Sequence, residues 1–181
     1  MKNALNVTEN NLSSLQKAGK TALIQWLMHP GSFMQRLKDH QIMDASIQVL
    51  QEDWQLPEDE ESMQLAIPPQ TPAWIREVLI QSDKQIWMFA RTVIPRETVD
   101  NEEELQHLKT RALGSVLFNN PNRQRSQFEY FSITTHSLWH KKIAHYLFEI
   151  PGELWARRSL FTLNNKSLLL MEVFFPEIEL L

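Results

Sequence analysis

"LWARRSLFTLNNKSLLLMEVFF", residues 154–175, holds two apolar runs on either side of Asn164-Asn165-Lys166. Asparagine tolerates left-handed backbone and often fills tight turns, so the spacing predicts an antiparallel hairpin. In the second run Leu168, Leu170, Glu172 and Phe174 fall on one face by the two-residue period of a strand. Glu172 is then a carboxylate in a run that is otherwise apolar from Leu168 to Phe175. An unpaired buried charge is costly, so this acid needs partners, a shifted pKa or a route to solvent. Leu168, Leu170 and Phe174 beside it suggest that a leucine at 172 would keep the core intact or strengthen it. Arg157-Arg158 put one arginine on each face of the first strand, so one is expected in solvent and the other inside.

A second hairpin is written into "AWIREVLIQ" (73–81) and "QIWMFARTVIP" (85–95), joined at Ser82-Asp83-Lys84. Trp74, Arg76, Val78 and Ile80 share a face of the first strand. Trp87, Phe89, Arg91 and Val93 share one in the second, which Pro95 ends. "MDASIQVLQ" (43–51) alternates as a half-buried strand. Residues 1–10 are polar and read as irregular. Leu12, Leu15, Ala18, Ala22, Leu23, Trp26 and Leu27 recur at helical spacing and predict one helix, ended by His29-Pro30-Gly31. Ser32 and Gln35 form a capping-box spacing for a short helix from Phe33. Asp100 and Glu103 do the same for a helix through Leu105 and Leu108, and "RALGSVLF" reads as a turn and short helix. The acidic, proline-rich residues 52–72 read as a surface connection. In residues 119–146, "FEYFSI" and "HYLFEI" are expected as strands and "HSLWHKKIAH" as a helix. Helices first and hairpins after define an α+β domain with one antiparallel sheet.

The bulk composition narrows the classes. The 181 residues carry a net charge of −4, with 43% hydrophobic and 22% charged residues, which is ordinary for one globular domain. There is no cysteine, so disulfide and thiol chemistry are excluded. No basic stretch supports nucleic-acid binding, and six tryptophans and nine phenylalanines without a basic groove read as core. No apolar run approaches the roughly 20 residues of a membrane span, and the start lacks a signal-peptide core. A cytoplasmic monomer is the expectation.

Three charges fall on strands where burial is expected: Arg76, Arg91 and Glu172. Each has a structural reading as half of an ion pair. Around a cavity, an arginine could instead clamp a ligand carboxylate through two parallel hydrogen bonds. Glu172 could contact a ligand hydroxyl or move a proton, with its pKa raised by apolar surroundings. His136 and His140 are four apart, but no third ligand accompanies them, so no metal site is expected. There is no GxGxxG, GxxxxGK[ST] or GxSxG motif.

"WIREVLI", "W-x3-RTVIP", "LG-x2-LF", "LWARRS" and "LLLMEVFFP" stand in an order and spacing that resemble the chorismate lyases of ubiquinone biosynthesis. The resemblance runs from about Trp74 to Pro176, and "WLMHPGSFMQRL" is similar to that family's helical flap. It implies cleavage of chorismate to 4-hydroxybenzoate and pyruvate without metal or organic cofactor. It also implies a small internal ligand cavity under helical flaps. It assigns Arg76 to the ring carboxylate, with the backbone N–H of Leu113 beside it, and Glu172 to the ring hydroxyl. Phe33 falls at the flap position that touches the ligand, where the family has methionine. Arg91, by strand position, is the candidate for the second, enolpyruvyl carboxylate. Residues around 120–142 form an insertion on the family pattern, expected at the cavity entrance or a partner surface. The alternative reading is a noncatalytic aromatic-acid sensor domain of the same fold.

Overall fold

The computed structural model describes residues 9–83, 85–147 and 149–181, and side chains from residue 12 onward. The irregular opening read for residues 1–10 lies outside that description as far as residue 8. The described residues open with α1 (Glu9–Lys17), α2 (Thr21–Met28) and α3 (Phe33–Asp39), followed by β1 (Ser46–Gln55) and α4 (Asp59–Gln64). The hairpin β2 (Ala73–Ser82) and β3 (Gln85–Ile94) leads into α5 (Arg96–Asn101) and α6 (Leu113–Leu117). Then come β4 (Gln124–Arg125), β5 (Glu129–Thr134), α7 (Leu138–Ala144), and the hairpin β6 (Glu153–Leu163) and β7 (Lys166–Phe174). The strands form one antiparallel sheet in the order β1-β2-β3-β7-β6-β4, and β5 pairs with the other end of β6.

Both hairpins form where the sequence places them. Asn164 and Asn165 have φ of 47° and 66°, which a two-residue turn of the left-handed kind requires, and Lys166 already belongs to β7. Ser32 caps α3 by accepting from the Gln35 N–H. Elsewhere the local signals were overridden. The helix expected from Leu12 to Leu27 is two helices, because Gly19 takes a φ of 73° and turns the chain between them. The helix expected from Asp100 starts earlier, at Arg96, directly after Pro95, and residues 103–107 form a 3₁₀ turn. β1 continues through Gln55, so Glu52 is a strand residue opposite Arg76 and not part of a loop. "FEYFSI" and "HSLWHKKIAH" contain β5 and α7 as expected. "HYLFEI" is not a strand: His145 and Tyr146 turn out of α7, and Phe148 lies outside the described residues.

The sheet separates two interiors. On one face Val78, Ile80, Met88, Ala90, Trp155, Phe161, Leu170 and Phe174 pack with the apolar sides of α1, α2, α3, α5 and α6. On the other, Leu79, Phe89, Phe131, Met171 and Val173 pack under Trp139 and Ile143 of α7. The segment around 120–142 is thus built into the sheet. Its first part extends the edge at β6, and its last part covers the second face.

Candidate active site

A cavity of about 60 Å³ lies between the first face and the helices. One water occupies roughly 10–15 Å³ on the same scale, so this is space for a small molecule. Its floor alternates along three neighbouring strands: Arg76, Val78 and Ile80 from β2, Met88, Ala90 and Thr92 from β3, Leu170 and Glu172 from β7. The register explains the room. Ala90 lies opposite both Val78 and Glu172, and Thr92 lies between Arg76 and Leu170. Short side chains in the central strand leave a trough between a cation on one side and a carboxylate on the other. Two strand spacings of about 4.8 Å separate β2 from β7.

The roof is two helix starts. Gly31, Ser32, Phe33 and Met34 come from the turn into α3, and Ala112, Leu113 and Gly114 from the turn into α6. They touch at Gly114, where a Cβ would stand 3.2 Å from the Phe118 ring and 3.4 Å from Ser32 Oγ. Leu113 is the first residue of α6, and first-turn N–H groups have no partner within their helix. Phe33 is held by a tilted contact with Trp26 and an edge contact with Phe174, with ring centroids 5.3 and 5.7 Å away.

Arg76 is 2% exposed. Its Nη2 donates to the carbonyls of Lys109 and Arg111, which fixes the loop that delivers Leu113. Its Nε is 3.1 Å from Glu52 Oε1, but the two atoms are out of line and neither makes a hydrogen bond. Burial pulls the Arg76 pKa down, and the charge of Glu52 restores only part of that. The guanidinium is therefore buried, charged and incompletely satisfied.

Glu172 is 4% exposed and fully engaged. Arg157 donates to it through both Nε and Nη2, at 2.6 and 2.8 Å, and Arg125 Nη2 donates at 3.0 Å. Burial alone would raise its pKa; the two guanidiniums outweigh burial and hold the carboxyl below its ordinary value. The expectation of a raised pKa is overturned for that reason. The expectation that leucine at 172 spares the protein falls with it, because two buried cations would lose their shared anion.

Arg91 is a second correction. It does not line the cavity. The two-residue period points it to the opposite face, where its Nε and Nη2 bind both oxygens of Glu61 at 2.8 Å and its Nη1 binds Glu77 at 2.6 Å. These pairs raise its pKa against the effect of burial. Neither member of Arg157-Arg158 is in solvent. Arg158 sits on the Arg91 face with Glu60 and Glu129. Sequence reasoning missed Arg125, whose two-residue strand carries no pattern, and Glu52 and Glu61, which lay in the stretch read as a loop. Among the described residues no cluster of three or more His, Asp or Glu could hold a metal ion. His140 Nε2 lies 2.9 Å from the Pro151 carbonyl.

A cavity between one antiparallel sheet and helical flaps, with buried charges on its floor, defines a small-molecule-binding α+β domain. The chain belongs to the chorismate lyase family, whose model matches residues 1–179. It is 37% identical over 156 residues to a Coxiella burnetii protein described as "probable chorismate pyruvate-lyase", covering 83% of this chain and 81% of that one. It is 35% identical over 156 residues to the chorismate pyruvate-lyase of Hamiltonella defensa, covering 83% and 76%. The same fold occurs in a GntR-family transcriptional regulator from Enterococcus faecalis, with TM-score 0.52 and 14% identity over 73% of this chain and 94% of that one. PhnF from Mycobacterium smegmatis shares it with TM-score 0.60 and 9% identity, over 91% and 80%. No helix among the described residues is long and apolar enough to cross a membrane.

Proposed function

We propose that this cavity binds chorismate and that the protein converts it to 4-hydroxybenzoate and pyruvate. The observation that carries the reading is Arg76: a buried, incompletely bonded guanidinium on the cavity floor of a chain of this family. A buried donor left unmade costs roughly 1–3 kcal/mol, and a guanidinium short of partners gains from a ligand carboxylate as a further acceptor. The ring carboxylate lies on Arg76, with the Leu113 N–H as second donor. The ring hydroxyl, on the opposite side of the ring, points to Glu172, and Phe33 closes over the ring.

The reaction breaks the bond between a ring carbon and the enolpyruvyl ether oxygen. A proton leaves the neighbouring ring carbon, and the pyruvate methyl gains one. The ring becomes aromatic, which drives the step. The protein supplies binding, orientation and a water-poor site in which charge pairing is stronger than in water. Glu172, ionised between two arginines, is no proton donor near neutral pH. It accepts the hydroxyl hydrogen bond and sets the ring in the trough. General acid catalysis would need a pKa near the working pH, and the arginines move it the other way.

Pure protein incubated with chorismate is expected to release pyruvate and 4-hydroxybenzoate in equal amounts. Binding of 4-hydroxybenzoate without pyruvate release would favour the sensor reading instead. We read residues 1–181 as one domain acting as a cytoplasmic monomer. Sedimentation at working concentration tests the monomer.

A further inference from the structure

We propose that Arg125 binds the second carboxylate of the substrate, the one carried on the enolpyruvyl arm. The inference rests on the cavity being a chorismate site. It starts from the charges. Among the described residues that line the cavity, the cations are Arg76 and Arg125 and the anion is Glu172. Arg76 faces Glu52. Arg125 shares Glu172 with Arg157, so two guanidiniums stand against one carboxylate.

All three nitrogens of Arg157 are engaged by protein acceptors. Its Nε and Nη2 hold Glu172, and its Nη1 lies within hydrogen-bond reach of the carbonyls of Trp26, Leu27 and His29. The uncompensated positive charge belongs to Arg125. Its Nε donates to Ser159 Oγ at 2.9 Å and its Nη1 to the Pro30 carbonyl at 3.1 Å, both neutral acceptors. Its Nη2 reaches only the oxygen of Glu172 that Arg157 already holds. Burial, and repulsion from Arg157 against the pull of Glu172, bring the Arg125 pKa down to about 10. The Phe128 and Phe161 rings lie 4.2 and 4.5 Å from the guanidinium carbon and set its plane.

The substrate's own geometry completes the case. The enolpyruvyl ether is on the ring carbon next to the one that bears the hydroxyl. With the hydroxyl at Glu172, the arm must start beside Glu172, and Arg125 is the cavity cation within 3.0 Å of that carboxylate. Arg76, two strands away, serves the far end of the ring. The bond from Arg125 to Pro30 ties this carboxylate site to the turn that leads into the flap. The two anionic ends of the substrate therefore meet different arginines, and the product keeps only the end held by Arg76.

The test uses two ligands of similar shape, 3-(carboxymethoxy)-4-hydroxybenzoate and 3-ethoxy-4-hydroxybenzoate, which differ by the second carboxylate. Wild-type protein is expected to bind the dicarboxylate at least about tenfold more tightly, the scale of one charge-assisted contact. In Arg125→Gln that preference should vanish and the KM for chorismate rise at least about tenfold. Affinity for 4-hydroxybenzoate should stay within about threefold, because it lacks the second carboxylate. Arg125→Lys should keep part of the preference, since an ammonium keeps charge without the planar fork. The proposal is overturned if wild-type protein does not distinguish the two ligands. It is overturned equally if Arg125→Gln weakens 4-hydroxybenzoate and the dicarboxylate alike, which is the mark of a structural arginine. Should the glutamine variant not fold, the wild-type ligand pair and Arg125→Lys decide. A wild-type protein that prefers the dicarboxylate yet releases no pyruvate from chorismate would sink the lyase reading while leaving the Arg125 site in place.

Discussion

The two faces of the sheet bury charge to different ends. On the cavity face, Arg76, Arg125 and Arg157 stand against Glu52 and Glu172, so positive charge is in excess. On the opposite face, Arg91, Arg158 and Lys142 stand against Glu58, Glu60, Glu61, Glu77 and Glu129, so carboxylates are in excess. The second face closes its bonds within itself. Glu77, Arg91, Met171, Arg158 and Glu129 are successive partners across five strands, and α4 places Glu60 and Glu61 over the two arginines. Trp139 of α7 covers Arg91 at 5.2 Å. The first face leaves Arg76 poorly bonded and Arg125 short of an anion. A surplus of buried positive charge is tolerable where an anionic ligand completes it, and that difference separates a site from a brace.

The largest effect is expected on the brace. Arg91→Ala strands Glu61 and Glu77 in the interior and should cost about 3–5 kcal/mol of stability, with the activity per folded molecule unchanged. Denaturant unfolding combined with a pyruvate assay on the folded fraction checks it. A large loss of turnover by folded protein would return Arg91 to the site. On the cavity face Arg76→Ala should lower kcat/KM by the equivalent of about 2–5 kcal/mol. It should also loosen the 109–111 loop, since Arg76 holds the carbonyls at both ends, so some stability is lost as well. Normal turnover of chorismate by this variant would remove Arg76 from the site.

Glu172 belongs to both comparisons: it lines the cavity and is held by two arginines. Its folded pKa lies below the 4.5 of an ordinary glutamate, so its contribution to stability is present above pH 4.5 and disappears as pH falls through the depressed value. Glu172→Leu should destabilise the protein near neutral pH, and Glu172→Gln should do so less. Acid unfolding of the glutamine variant should depend less on pH over that window. An unchanged acid transition would mean that the arginines do not depress this pKa. Glu172→Gln is also expected to keep measurable turnover, because an orienting acceptor is partly replaced by an amide oxygen; complete loss would indicate proton transfer by the carboxylate.

The smallest effect sits at the edge of the brace. Tyr146 donates to Glu77, and burial together with that bond pushes its pKa up to about 12. Its contribution is full below the ordinary tyrosine value of 10 and is lost as pH rises through about 12. Tyr146→Phe should cost about 0.5–1.5 kcal/mol near pH 7, the net value of one hydrogen bond, and leave the KM for chorismate unchanged. A changed KM would show that the two faces are coupled.

Local chemistry in the sequence determined the two hairpins, the α3 cap and the α+β class. Asn-Asn at a turn, Ser32 three residues before Gln35 and alternating apolar positions each act within a few residues and need no distant partner. The family motifs likewise brought Arg76, Leu113, Phe33 and Glu172 to notice, and the structure gathers all four around one cavity. Tertiary structure alone decided how the charges are paired. Arg91 and Arg76 look alike in their strands, yet the two-residue period sends them to opposite faces, toward Glu61 and Glu77 in one case and the cavity in the other. Arg125 is 47 residues from Glu172, on a strand too short to show a period, and only the pairing of β4 with β6 brings it there. The sign of the Glu172 pKa shift followed from those partners: apolar neighbours in sequence favour the neutral acid, and two arginines from other strands reverse them.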